Sequence, residues 1–201
     1  MQPIGPQLQL FDETPQLKHY FLLFGLDDDL TKKIAADKAS INQFLEISVV
    51  KESIPHISVI KFYQSVNQEP KIIRYFSDYF KSINEVKGEI TGLQDEIQNK
   101  LSYEMTTQVV DSLEIIRDYI QYLLRKEKLI FKGNHIISQS IQLNLIKDIP
   151  KAKKTKLGGF KSAITFPCPI NINQALLLKS DDPKGPWEVL KEFKLKKGKK
   201  G

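Results

Sequence analysis

The 201-residue chain has one cysteine, one tryptophan, three histidines and no long apolar run. Its single cysteine, Cys168, cannot form an internal disulfide and lacks the companions that the usual metal sites require. No apolar stretch approaches the roughly 20 residues needed to cross a bilayer. The segment from Met1 to Phe11 also lacks the basic and apolar regions of a signal peptide. The sequence therefore predicts a cytoplasmic monomer with no membrane segment and no metal or other cofactor.

The formal net charge of +6 comes from two short lysine runs. One run contains Lys151, Lys153, Lys154 and Lys156, and the other contains Lys196, Lys197, Lys199 and Lys200. Without these eight lysines the rest of the chain has a formal charge of −2, so the body of the protein is not basic. We expect residues 196–201 to form a flexible basic tail after a single domain spanning residues 1–195. The internal run is either a solubilising surface or a phosphate-attracting loop between two strands.

The first part of the chain alternates short apolar runs with amphipathic segments. Tyr20 to Leu26 reads as a buried strand, followed by a helix capped by Asp28 or Asp29, with its charged residues facing water. A second helix is predicted from Glu69 to Ser82. Val86 to Ile97 is predicted to be a strand with a bulge or a close backbone approach near its glycines, and Leu101 to Met105 is its expected partner.

The most informative short stretch is residues 55–60, where an imidazole and a hydroxyl stand two positions apart in an apolar, β-branched run. Side chains on a strand alternate between its two faces, so His56 and Ser58 share one face. The residues expected on that face are Ile54, His56, Ser58 and Ile60, with Ile57 and Val59 on the other. An imidazole can transfer a proton near neutral pH, and a hydroxyl can bind a phosphate oxygen, so the pair suits phosphate chemistry. A histidine on an apolar strand is also often purely structural.

The second part of the chain repeats this order of elements. A long helix is predicted from Thr107 to Lys128, and a strand with Gln142, Asn144 and Ile146 on one face follows it. A hairpin is predicted at the end, with Ala175 to Ser180 as its first strand and a return that begins at Trp187. The pattern predicts an α+β fold with two intertwined, pseudo-symmetric lobes of antiparallel sheet, helices on the outer faces and a central cleft.

This order of elements, together with Pro55-His56-Ile57-Ser58 and the closing pattern from Leu178 through Trp187, resembles the two-histidine phosphoesterase superfamily. That superfamily includes 2′-5′ RNA ligase-like proteins and 2′,3′-cyclic phosphodiesterases. The resemblance implies two His-x-Thr/Ser motifs that face each other, with one histidine acting as general base and the other as general acid on a phosphodiester. By this resemblance His56 is a proton carrier and Ser58 binds phosphate.

The second motif is degenerate in this sequence. Its best match is Gln142 to Lys147, where Gln142 stands in the place of the histidine and Asn144 in the place of the hydroxyl residue. An amide can bind a phosphate oxygen but cannot carry a proton at neutral pH, so Gln142, Asn144 and Lys147 are candidate ligand-binding residues. His135 is a candidate second proton carrier from a neighbouring loop, or simply an exposed loop residue.

Tyr63 and Phe160 are candidate base-stacking residues, although aromatic residues near strand ends are also common in cores. The sequence thus leaves three hypotheses. The first is a phosphodiesterase of reduced activity that acts on a small nucleotide phosphodiester or an RNA end. The second is a non-catalytic protein of the same fold that binds a nucleotide or RNA end. The third is a protein-interaction module with a vestigial cleft.

Overall fold

The architecture is taken from a computed structural model, which describes residues 16–47, 55–96, 100–130, 136–138, 140–146 and 149–198. These residues form three α-helices, nine β-strands and two 3₁₀ segments. In chain order the elements are β1 (Leu17–Gly25), α1 (Asp28–Phe44), β2 (His56–Ser65), a 3₁₀ turn (Val66–Gln68), α2 (Glu69–Ser82), β3 (Val86–Glu96), β4 (Lys100–Met105), α3 (Thr107–Lys126), β5 (Ile137–Ser138), β6 (Leu143–Ile146), a 3₁₀ segment (Lys151–Gly159), β7 (Cys168–Ile172), β8 (Gln174–Ser180) and β9 (Glu188–Lys194).

All nine strands belong to one sheet with the order β7-β3-β4-β6-β2-β1-β8-β9, and β5 pairs with the far end of β2. The neighbouring strands are antiparallel throughout. The sheet divides into two halves of four strands that meet where β2 pairs with β6. The predicted α+β class, antiparallel pairing and pseudo-symmetry of the two halves are therefore confirmed, with the halves joined edge to edge in one sheet.

The helices form because each has an apolar stripe to bury, and all three contact the same face of the sheet. On α2, Phe76 packs edge-on against Phe62 of β2, with 6.4 Å between ring centroids. On α3, Val109 approaches β3 at Gly88, where a Cβ atom would lie 2.2 Å from the valine Cγ2. This contact is the close backbone approach predicted for β3, and a bulge between Ile90 and Gly92 is present as well. The opposite face of the sheet is left for the candidate site.

A bulge in β2 changes which residues share the face of His56. Ser58 pairs with Leu23 of β1, but Ile60 pairs with Leu22, so Val59 is an extra residue in the ladder. Because Leu22 and Leu23 point to opposite faces, Ser58 and Ile60 do too. The expectation that Ile60 lies beside His56 is therefore wrong, and Ile60 is fully buried in the core. Ile54 lies outside the described residues.

The expectation that the charged residues of α1 face water is wrong for Asp37, which is fully buried. Its Oδ2 accepts a hydrogen bond from the Tyr103 hydroxyl at 2.7 Å and another from Ser162, and its Oδ1 accepts one from the Ala163 amide at 2.7 Å. Burial and the neighbouring carboxylate raise the pKa of Tyr103, so its phenol stays protonated and keeps donating. Asp37 thus ties α1 to β4 and to the segment that follows the 3₁₀ segment.

We expect Asp37→Ala to lower the free energy of unfolding by about 3 kcal/mol, because the buried Tyr103 hydroxyl and two half-buried donors, on Ser162 and Ala163, lose their acceptor together. Urea unfolding followed by circular dichroism measures this change. Asp29→Ala, at an exposed position of the same helix, is the control and should cost less than about 1 kcal/mol. Equal stability of the two variants would contradict the role assigned to Asp37.

Four smaller differences from the sequence prediction remain. Asp27, rather than Asp28 or Asp29, caps α1 by accepting a hydrogen bond from the Leu30 amide at 2.8 Å. The internal lysine run forms a 3₁₀ segment. Strand β7 was not predicted, because its first two residues are Cys168 and Pro169. Lys196 forms a bridge with Asn84, so the chain is still hydrogen-bonded to the sheet at that position.

Candidate functional site

The two polar pairs meet where the two halves of the sheet join. Ile57 of β2 pairs with Leu143 of β6 in antiparallel register. The neighbouring positions of such a ladder place His56 opposite Asn144 and Ser58 opposite Gln142. All four side chains point away from the helices, because Ile57 and Leu143 are fully buried on the helix side. The structure thus brings together the two short motifs, which are 86 positions apart if counted from Ile57 to Leu143.

A row of polar side chains crosses the sheet at the level of His56. Gly25 of β1 pairs with His56 on one side and with Gln174 of β8 on the other. Beyond Asn144, the row continues with Ser102 of β4. The Gln174 side chain lies over Gly25, with Nε2 2.6 Å from the position that a Cβ atom at residue 25 would take. A glycine is therefore needed at position 25 to let the Gln174 amide lie next to the His56 position.

Gln174 was missed by sequence reasoning because it precedes the apolar run of its strand. The only signal that could have found it is Gly25, a glycine at the end of a buried strand directly beside the His56 motif. Pairing between β1 and β8 spans about 150 positions of sequence, as in Gly25 with Gln174, and no local pattern predicts its register.

Burial and hydrogen bonding distinguish the members of this site. Ser58 and Ser102 are buried, with 8% and 2% exposure, whereas His56 is partly exposed. The Asn144 side-chain oxygen is buried and accepts no hydrogen bond from the residues that the structure describes. A buried acceptor without a partner costs about 1–3 kcal/mol, so a ligand hydroxyl or amide that donates to Asn144 would recover that energy.

Aromatic side chains extend the site from His56 toward the β8–β9 hairpin. The ring of Phe21 meets that of His56 edge-on, with 5.5 Å between centroids, and also contacts Trp187 at 5.6 Å. Lys61 lies over both rings, with its Nζ 4.6 Å from the centroid of Phe21 and 5.4 Å from that of Trp187. Lys61 thus brings a positive charge to the aromatic surface beside His56.

The other predicted site residues are placed as follows. Tyr63 lies on the same face of the sheet, with its ring 4.6 Å from that of His19. Phe160 lies against Phe44 at the end of α1, with 6.1 Å between ring centroids, and no described contact joins it to the His56 row. The lysine run contacts the same end of α1, where Lys153 donates to the Glu46 carbonyl at 2.8 Å.

His135 and Lys147 lie outside the described residues, so their proposed roles stay predictions. Within the described ranges, no three side chains of His, Cys, Asp or Glu are grouped as a metal ion would require. No helix in the same ranges has the length and apolar character needed to span a bilayer. What the row at His56 offers chemically is one imidazole, two buried hydroxyls and three amides.

Comparison with known proteins identifies the fold. The model matches E. coli LigT complexed with 3′-AMP with a TM-score of 0.59 and 11% sequence identity, covering 90% of this chain and 98% of LigT. It matches TT0787 of Thermus thermophilus with a TM-score of 0.56 and 14% identity, covering 89% of this chain and 98% of that one. A protein described as a phosphoesterase matches with a TM-score of 0.52 and 12% identity, covering 90% and 98%.

No family model matches the sequence, and no curated protein sequence matches it. The fold of this chain is therefore that of LigT and a phosphoesterase, and the structural expectation drawn from the sequence resemblance is confirmed. The structural match establishes the fold. Because the sequence identities are only 10–14%, the chemistry has to be argued from the residues of this chain.

Proposed function

We propose that this protein is a two-histidine-type phosphoesterase that has retained one histidine. It binds a small nucleotide phosphodiester or an RNA end at His56 and Ser58, and hydrolyses a 2′,3′-cyclic phosphate with reduced turnover. The observation that carries the proposal is the register of β2 and β6, which sets His56 and Ser58 directly against Asn144 and Gln142. The fold shared with LigT supports the same assignment.

In the proposed reaction, His56 takes a proton from a water molecule as the water oxygen attacks phosphorus. The bond between phosphorus and one ribose oxygen breaks, and that oxygen takes a proton from the imidazolium or from solvent. Ser58 donates a hydrogen bond to a phosphate oxygen, and the Gln142 amide can donate another. A second imidazole at position 142 would protonate the leaving oxygen as it departs. Its absence costs about 10²- to 10⁴-fold in rate.

Wild-type protein is expected to hydrolyse adenosine 2′,3′-cyclic phosphate slowly but above the uncatalysed rate, in the presence or absence of a metal chelator. Chromatography of the adenosine phosphates formed over several hours measures the rate. A purified, folded protein that gives no product would contradict the catalytic part of the proposal.

The amides at positions 142 and 144 favour a second function, which is binding without turnover. A protein of this kind would retain an RNA end or nucleotide through Ser58, Gln142 and Asn144, with the lysine run attracting the phosphates. Its affinity for a 3′-phosphorylated oligonucleotide would fall as salt rises, because bound counterions are released. Absence of product together with salt-dependent binding would favour this second function, and absence of both would exclude both functions.

A further inference from the structure

A groove with a volume of about 400 Å³ adjoins the His56 row on the same face of the sheet. Its lining includes the ring-bearing residues His19, Tyr63 and Trp187, together with Lys61. This volume falls within the range of small-molecule sites. Aromatic walls with a neighbouring cation suit a planar ring that carries a negatively charged substituent.

The bulge at Val59 is the reason that Lys61 and Tyr63 line the groove. In a regular strand, residues 61 and 63 would point to the face opposite His56 and Ser58. The extra residue reverses the alternation, so Lys61 pairs with Phe21 and Tyr63 pairs with His19 on the His56 face. The bulge thus makes one continuous surface from the polar row and the groove.

Phe21 connects the two parts of this surface. Its ring contacts both His56, at 5.5 Å, and Trp187, at 5.6 Å. Lys61 stands over the same ring and over that of Trp187. A nucleotide whose phosphate lies at His56 and Ser58 can therefore extend along Phe21 and place a base against Trp187 or Tyr63, with a backbone phosphate near Lys61.

We propose that this groove binds a nucleobase of an oligoribonucleotide whose terminal phosphate lies at His56 and Ser58. The inference rests on the proposed function for the position of the phosphate, and it adds the class of ligand. The proposed ligand has at least two nucleotides. The one at the 3′ end carries the phosphate at His56 and Ser58, and its 5′ neighbour places its base in the groove. Stacking is tolerant of base identity, so the groove gives affinity with little sequence preference.

The test uses the fact that Trp187 is the only tryptophan of the chain, so its fluorescence reports on the groove alone. The probe is the dinucleotide ApA with a 3′-terminal phosphate, and the matched probe has an abasic residue in place of its 5′ adenosine. We expect ApA 3′-phosphate to quench the fluorescence and to bind about 5- to 150-fold more tightly than the abasic probe, as one stacked base contributes ~1–3 kcal/mol. Calorimetry measures both affinities.

Trp187→Ala is expected to weaken binding of ApA 3′-phosphate by the same factor, while Trp187→Phe, which keeps a ring, should lose much less. Tyr122→Ala is the control, because Tyr122 is exposed on α3 on the opposite side of the sheet. Circular dichroism of each variant checks folding.

Three results would contradict the proposal that the groove binds a nucleobase. They are equal affinity for the two probes, unchanged affinity in Trp187→Ala, and failure of ApA 3′-phosphate to bind to wild-type protein. If wild-type protein still hydrolyses adenosine 2′,3′-cyclic phosphate, the proposed function survives the loss of the groove. If it neither hydrolyses that nucleotide nor binds any 3′-phosphorylated probe, both proposals are wrong.

Discussion

His56→Ala should reduce hydrolysis of adenosine 2′,3′-cyclic phosphate to the uncatalysed rate, a loss of about 10²- to 10⁴-fold relative to wild-type protein. The physical reason is that the row of polar side chains at His56 contains no other group that takes a proton near neutral pH, since the imidazole of His19 lies farther along β1, beside Tyr63. The remaining members of the row are the hydroxyls of Ser58 and Ser102 and the amides of Gln142, Asn144 and Gln174. The measurement is the initial rate of product formation with substrate in excess.

His56→Gln separates proton transfer from binding. A glutamine can still donate a hydrogen bond to phosphate, so this variant should bind 3′-phosphorylated ligands within a few-fold of wild type while losing the rate. Lys32→Ala, at an exposed position of α1, is the control for handling and folding. If His56→Ala keeps the wild-type rate, the catalytic residue lies elsewhere and His135 becomes the first candidate.

The double substitution Gln142→His with Asn144→Thr should raise the rate of hydrolysis by about 10²- to 10⁴-fold over wild type. It restores the second motif at the positions that the register sets opposite Ser58 and His56. The new imidazole supplies the missing acid or base, and threonine suits the strand conformation of residue 144. The rate is measured on adenosine 2′,3′-cyclic phosphate, as for wild type.

The pH profile distinguishes a restored site from a merely tighter one. In a site with one histidine, the rate depends on the protonation state of that histidine alone. The rate therefore rises or falls across one pKa and does not pass through a maximum. Two histidines in opposite protonation states give a bell-shaped profile. Gln142→Asn, which keeps an amide, is the matched control and should stay at the wild-type rate or below. A folded double variant with the wild-type rate and a profile without a maximum would mean that β6 does not face the reacting phosphate.

The two predictions differ in how much of the fold they depend on. The effect of His56→Ala needs only that the imidazole lies at the site, which the local motif already suggested. The gain from the double substitution needs β2 and β6 to be neighbours in the register described here. It therefore tests the tertiary structure as well as the chemistry.

The groove and the polar row also differ in what they contribute. In the two proposals, the row at His56 acts on a phosphate, whereas the groove at Trp187 adds affinity for a base. Such added affinity would lower the concentration of RNA that saturates a slow enzyme, without raising the rate of the chemical step. It also serves a protein that only binds RNA ends.

Much of the fold was predictable from local sequence, because helices with a continuous apolar stripe and strands with strict alternation have strong periodic signals. The boundaries of α2 were predicted to the residue, as Pro70 marks its first turn and Ile72, Phe76 and Phe80 form its buried stripe. The predicted alternation placed Gln142 and Asn144 on one face, but it was wrong for Ile146. A register shift pairs Ile146 with Leu101 and Asn144 with Ser102, so Ile146 and Asn144 point to opposite faces. Asp37 could not be predicted, because its partners lie 66 and 125 positions away.

By itself, the sequence determined most of the helices and strands, their order, and the placement of an imidazole and a hydroxyl on one strand at His56 and Ser58. Tertiary structure decided what those two residues face. The register between β2 and β6 set Asn144 and Gln142 against them, and the bulge at Val59 turned Lys61 and Tyr63 onto their face. The reason is physical: periodicity along a chain is a local property, whereas strand register depends on contacts between distant segments and reverses every side chain when it shifts by one residue.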